Sequence, residues 1–218
     1  RTEFYGLSAF PYETMYVGFL WIYRLEAGDE RIWPELVYSA DGETWTRVEA
    51  PRRPVLELGA AGTWDDGMIF TTNHPLVREG RVWLYYGGFD GPHNAKDRPA
   101  GIGLARLRKD GFAGWRAGAA ETAVTTAVLE GASGGLRVNA NARRGEVKVE
   151  LLDAGGRVMA GYEKESAAPL RGDGLEQAVR WKGKEALPAG AFRARVWLRE
   201  AELFSVYAGE GARVRPAG

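Results

Sequence analysis

The sequence predicts an all-β chain: a partial β-propeller of two four-stranded blades over residues 1–117, then a jelly-roll-like β-sandwich over residues 118–218. Three observations carry this. Short apolar or alternating runs separated by Gly, Pro, Asp and Asn fill the chain, helical periodicity is nearly absent, and the texture changes after Gly118.

In the first part, "MYVGFLWIYR", "PELVYSADG", "GMIFTTN", "RVWLYYGG" and "GIGLARLRKDG" have the length and the β-branched or aromatic content of strands. The pairs Asp41/Gly42 and Asp110/Gly111 carry turn chemistry. The pattern occurs twice. Pro11 answers Pro75, Phe19–Tyr23 answers Val82–Tyr86, Asp41/Gly42 answers Asp110/Gly111, and Trp45 answers Trp115, at a spacing of roughly 64 to 70 residues. A repeated unit of four short strands is a propeller blade, and rings close with about four to eight of them. Two blades leave the ring open. Either the remaining blades come from the same polypeptide or from another chain, or the strands adopt an open arrangement, and the start at Arg1, without Met, reads as a cut end, of a processed protein or a fragment.

Beyond the small polar tract "GAAETAVTT", the strands alternate strictly. In "EVKVELLD", Val147, Val149 and Leu151 share one face; in "FRARVWLR", Phe192, Ala194, Val196 and Leu198 do. One buried face per strand is the mark of an antiparallel sandwich. Arg143 and Arg144 read as a solvated hairpin tip between two of these strands.

Composition narrows the function. The 218 residues are 45% hydrophobic, enough to build cores, and 29 basic residues balance 29 acidic ones. No net field draws the chain to nucleic acid or to an anionic membrane, and no apolar run approaches the roughly 18 residues of a spanning helix. With no cysteine there is neither a disulfide nor a thiolate site. No "GxSxG" elbow and no phosphate loop is present. Neither a cofactor nor a metal is expected: the only two histidines, His74 and His93, are separated by a strand pair and lack a third clustered ligand. Aromatic residues, with 8 Trp, 9 Tyr and 8 Phe, are either core bulk or faces for stacking sugar rings.

The order of a propeller segment and a sandwich, with "ELVYSADGETWTRV", "GTWDDGMIF", "VWLYYGG", "GIGLARLRKDGF", "LRVNANARRGEVKVELLD" and "ARVWLREAELFSVYA", resembles the glycoside hydrolase family 32-like proteins, close to families 43 and 68. The resemblance implies the last two blades of a five-bladed propeller plus its C-terminal sandwich, a carbohydrate partner, and a secreted or periplasmic location. It further implies axial catalytic carboxylates, about 5 to 5.5 Å apart in a retaining mechanism. Those acids belong to early blades; no "NDPNG", "RDP" or "EC" string occurs here, so no catalytic residue is assigned. The alternative is a non-catalytic carbohydrate-binding or scaffold module.

The substrate-binding candidates are Asp65, Asp66, His74, Tyr86, Asp90 and His93. Asp65 and Asp66 precede the innermost strand of the second blade, where a carboxylate can accept from two sugar hydroxyls; the competing reading is a turn acid. His74 and His93 sit in loops as hydroxyl partners or as ordinary loop residues. Of Tyr85 and Tyr86, which alternate, at most one faces the funnel. Glu13 reads as an exposed turn acid.

Overall fold

The computed structural model describes residues 1–26, 28–48, 52–210 and 213–214. It is all-β, with 0% helix and 59% strand. The chain divides into two compact units, Arg1–Phe112 and Ala113–Gly218.

The first unit is a curled half-barrel sheet. Strands β1 (Thr2–Tyr12), β2 (Met15–Arg24), β3 (Ile32–Ser39) and β4 (Thr46–Arg47) form one antiparallel meander. Strands β5 (Met68–Thr71), β6 (Leu76–Arg78), β7 (Arg81–Phe89) and β8 (Ala100–Arg108) form a second, in which β7 pairs with the other three. A parallel bridge, Ile32 to Met68, joins the two. Their tight hairpins are not at the Asp-Gly pairs. They are at Glu13-Thr14, between paired Tyr12 and Met15, and at Glu79-Gly80, between paired Arg78 and Arg81. Glu13 and Glu79 both take the left-handed backbone, at φ 52° and 53°, the geometry that two-residue hairpins demand.

Matching these turns corrects the repeat: Phe19 corresponds to Tyr85, not to Val82. Trp115 has no place in it, because β9 (Trp115–Ala117) pairs with a strand of the second unit. The two compact units meet at Phe112/Ala113, a few residues before the change in composition after Gly118.

The first unit's core sets Phe10, Val17 and Phe19 of the first meander against Leu84 of the second. Asp41 closes the β3–β4 loop by accepting from the amides of Glu43 and Thr44, at 2.8 and 2.7 Å. Those amides, joined by the Ser39 hydroxyl, hold its carboxyl down at about 2.

The second unit is a nearly closed, barrel-like sheet. It comprises β9 with β10 (Thr122–Thr125), β11 (Leu129–Glu130), β12 (Ser133–Asp153), β13 (Leu170–Ala178), β14 (Phe192–Arg199), β15 (Ala201–Glu210) and β16 (Arg213–Val214). Arg143 and Arg144, expected at a hairpin tip, instead lie inside the single long strand β12. Before them β12 pairs with β15; after them it pairs with β14. Gly145 permits the change of partner, since a Cβ there would stand 1.9 Å from the Arg199 carbonyl oxygen. Val147, Val149, Leu151, Phe192, Ala194, Val196 and Leu198 are all buried in one core. The opposite face is also partly covered: Glu150, 5% exposed, accepts from Arg195 Nη1 at 3.0 Å and Trp197 Nε1 at 3.1 Å.

Candidate functional site

The first unit carries an open cleft of about 450 Å³ lined by Tyr5, Met68, Phe70, Phe89, His93, Lys96 and Arg98. Its walls follow from local chain geometry. A bulge between Phe4 and Gly6 breaks the β1–β2 register at Tyr5 and re-aims that side chain. Tyr5 then packs on Tyr23, Phe70 and His93, with ring centroids 5.7, 5.7 and 5.3 Å away. On the other wall, the pairs Met68–Phe89 and Phe70–Gly87 place Met68, Phe70 and Phe89 on one side of the sheet.

His93 is held from three directions. Its amide donates to the Glu30 carbonyl at 2.7 Å, its own carbonyl accepts from Arg98 Nη1 at 2.6 Å, and Nε2 lies 3.0 Å from the Tyr5 hydroxyl. Glu30 stands behind the loop, accepting from Tyr23 Oη at 2.8 Å and from Asn94 Nδ2 at 3.0 Å. Desolvation, followed by the Glu30 carboxylate, pushes the Tyr23 phenol above its ordinary value. It stays a donor throughout the neutral range.

The six sequence candidates do not form one site. His93 alone lines the cleft. Asp66 braces the loop that carries it: its carboxylate accepts from the Gly62 amide at 2.7 Å and the Gly91 amide at 3.1 Å. These two backbone donors lower its pKa. Beside it, Gly67 passes so close to Gly91 that a Cβ would stand 1.6 Å from the Gly91 carbonyl oxygen. Asp90 closes the same loop, its amide donating to the Pro99 carbonyl at 2.9 Å.

Asp65 and Tyr86 lie elsewhere. Tyr86 pairs with Thr71, one step out of phase with Phe70, so its ring is on the opposite face of the sheet from the cleft. There its hydroxyl donates to Asp65 Oδ2 at 2.9 Å, and Trp64 stacks on it at 5.8 Å and 16°. Both rings need glycine beneath them: a Cβ on Gly103 would stand 2.1 Å from Tyr86, and one on Gly88 2.5 Å from Trp64. Desolvation, then the Asp65 hydrogen bond, pushes the Tyr86 phenol up to about 12. His74 is exposed beside Phe10, ring centroids 6.4 Å apart. Because β5 and β7 are antiparallel, the loops holding His74 and His93 leave opposite ends of that pair.

Sequence reasoning missed Tyr5, Glu30, Phe70, Phe89, Lys96 and Arg98. Lys96 and Arg98 sit in the polar loop already singled out for His93; Tyr5 had no local signal, since a bulge is a property of the paired strands.

None of the cleft's lining residues carries a carboxylate. Among the described residues, no group of three or more His, Asp or Glu is placed to hold a metal ion, and no helix is long and apolar enough to cross a membrane. In the second unit a smaller cleft of about 260 Å³ offers one charged side chain, Arg137, which is ion-paired with Glu176 at 3.6 Å. Comparison with protein-family models, curated proteins and solved structures returns no match.

Proposed function

We propose that the chain is the C-terminal part of a carbohydrate-active protein of the glycoside hydrolase family 32-like type, and that the Tyr5–His93 cleft contacts the sugar. One observation carries this reading: aromatic faces from Tyr5, Phe70 and Phe89 meet the donors His93, Lys96 and Arg98 in one open cleft. Sugars present apolar C–H faces that stack on aromatic rings and hydroxyls that need directed partners. The two consecutive meanders support the reading of two propeller blades, and a ring of such blades requires further ones. The partner change within β12, which folds one sheet around a single core, supports a sandwich-like second domain.

In this reading the cleft positions a substrate whose glycosidic bond is cut by carboxylates supplied outside residues 1–218. The carboxylate-free lining equally favours a non-catalytic carbohydrate-binding module. Calorimetric titration with maltose, lactose and sucrose tests the shared premise: saturable binding that is lost in His93→Ala supports it, and no binding of any sugar sinks it. Hydrolysis by a longer polypeptide, but not by residues 1–218, separates the enzyme from the module.

A further inference from the structure

The cleft of the first unit carries charge of one sign only. Tyr5, Phe70 and Phe89 give it aromatic walls, and the loop side brings His93, Lys96 and Arg98. Two formal positive charges therefore line it, and no carboxylate does. Its volume of about 450 Å³ falls within the range of small-molecule sites.

Carboxylates on the surrounding segments are already partnered. Glu30 accepts from Tyr23 Oη and Asn94 Nδ2, Asp66 accepts from the amides of Gly62 and Gly91, and Glu3 is ion-paired with Arg1. Asp90, which opens the loop, is not part of the lining. Asp97 stands between Lys96 and Arg98 in the sequence, yet among the described residues no ion pair joins it to either, and neither cation has another. Arg98 is nonetheless held in place: its Nη1 donates to the His93 carbonyl at 2.6 Å, which leaves Nε and Nη2 as a paired edge of donors. Such an edge takes both oxygens of a carboxylate at once.

We infer that the cleft selects an acidic sugar, a unit with a carboxylate where a neutral sugar has a hydroxymethyl group: Arg98 and Lys96 take the carboxylate, and the aromatic walls take the apolar face of the ring. This rests on the carbohydrate reading and narrows it to a substrate class. A neutral sugar offers the two cations only hydroxyls, whereas a carboxylate gives charge-assisted bonds about twice as strong. A sugar phosphate shares the anionic chemistry, but the flat pair of carboxylate oxygens is the match for the Nε and Nη2 edge. Lys96 adds a point charge beside that fork and fixes no orientation.

Calorimetric titration of the 218-residue chain with matched pairs tests it: methyl glucuronide against methyl glucoside, and methyl galacturonide against methyl galactoside, with glucose 6-phosphate and acetate as controls. The acidic member of at least one pair is expected to bind about tenfold more tightly than its neutral counterpart, and added sodium chloride should shrink that preference. Arg98→Gln removes most of the acidic-over-neutral ratio, Arg98→Lys keeps the charge without the fork and restores part of it, and Lys96→Gln lowers it by about threefold. Thermal melts confirm that each variant remains folded. Acidic members that bind no more tightly than the neutral ones, whether both bind or neither does, overturn the inference, and so does a ratio that Arg98→Gln leaves unchanged. Tighter binding of glucose 6-phosphate overturns the choice of carboxylate, and acetate that binds as tightly as the glucuronide overturns the role of the ring. The carbohydrate reading is judged separately, by maltose, lactose and sucrose: it survives the loss of this inference if any of them binds.

Discussion

Tyr5 Oη and His93 Nε2 stand 3.0 Å apart although 88 residues separate them in the chain. The bulge after Phe4 turns one toward the cleft, and the Glu30 carbonyl and the Asp66-braced loop present the other. On the proposed carbohydrate reading, removing the hydroxyl with Tyr5→Phe leaves the ring in place but releases His93 Nε2 from the partner that orients it, at a cost of about 1 kcal/mol, or about fivefold in affinity. On the same carbohydrate reading, His93→Ala removes the ring contacts as well and weakens sugar binding by about tenfold or more. Calorimetry on both variants, with melting curves to exclude unfolding, checks the order; equal binding by all three proteins contradicts the assignment of the cleft.

Asp66 holds the amides of Gly62 and Gly91, so Asp66→Ala leaves two backbone donors without their partner and destabilises by about 1 to 2 kcal/mol. Its folded pKa lies below the ordinary 3.8. The stabilisation is therefore complete above that value and fades as pH falls through the lowered one. Urea unfolding of wild type and variant at a series of acidic pH values should show the gap between them closing toward low pH. A gap that is constant with pH places the effect in packing and not in the carboxylate.

Tyr86 titrates in the opposite sense. With a phenol at about 12 in the folded chain against an ordinary 10.0, the folded state holds the proton where the unfolded state has lost it. Stability from this group is fully present below pH 10 and declines as pH rises toward about 12. Asp65→Asn removes the anion facing the hydroxyl and brings the phenol down. Ultraviolet phenolate titration of the variant should reveal one tyrosine ionising earlier than in wild type.

Glu150 tests the second unit. Its carboxylate, 5% exposed, is the shared acceptor of Arg195 and Trp197, and Glu150→Ala strands both donors beside a half-covered guanidinium. A loss of about 2 to 3 kcal/mol is expected, readable in denaturant unfolding. Glu150→Gln keeps an acceptor and should recover part of it.

Local patterning was enough to specify the secondary-structure class and the faces. Alternation in "EVKVELLD" and "FRARVWLR" placed Val147, Val149, Leu151 and the Phe192 set inward, because side chains of a strand must alternate and apolar ones seek cover. "MYVGFLWIYR" is β2 residue for residue. The same local rules could not set the register of the repeat, since the turns that fix it, Glu13-Thr14 and Glu79-Gly80, use a glutamate in a conformation usually left to glycine, asparagine or aspartate.

Which candidates meet depends on long-range strand pairing. Asp65, Asp66, His74, Tyr86, Asp90 and His93 are close in sequence, yet a one-residue step between Phe70 and Thr71 sends Tyr86 to the far face from the cleft, and antiparallel pairing sends His74 to the far end from His93. Tyr5 and Glu30 joined His93 from the other meander through contacts that no short window contains. Alternation and strand direction are local, but which two strands lie side by side is settled by burial across the whole unit, and the cleft exists only where that choice brings Tyr5, Phe70 and His93 together.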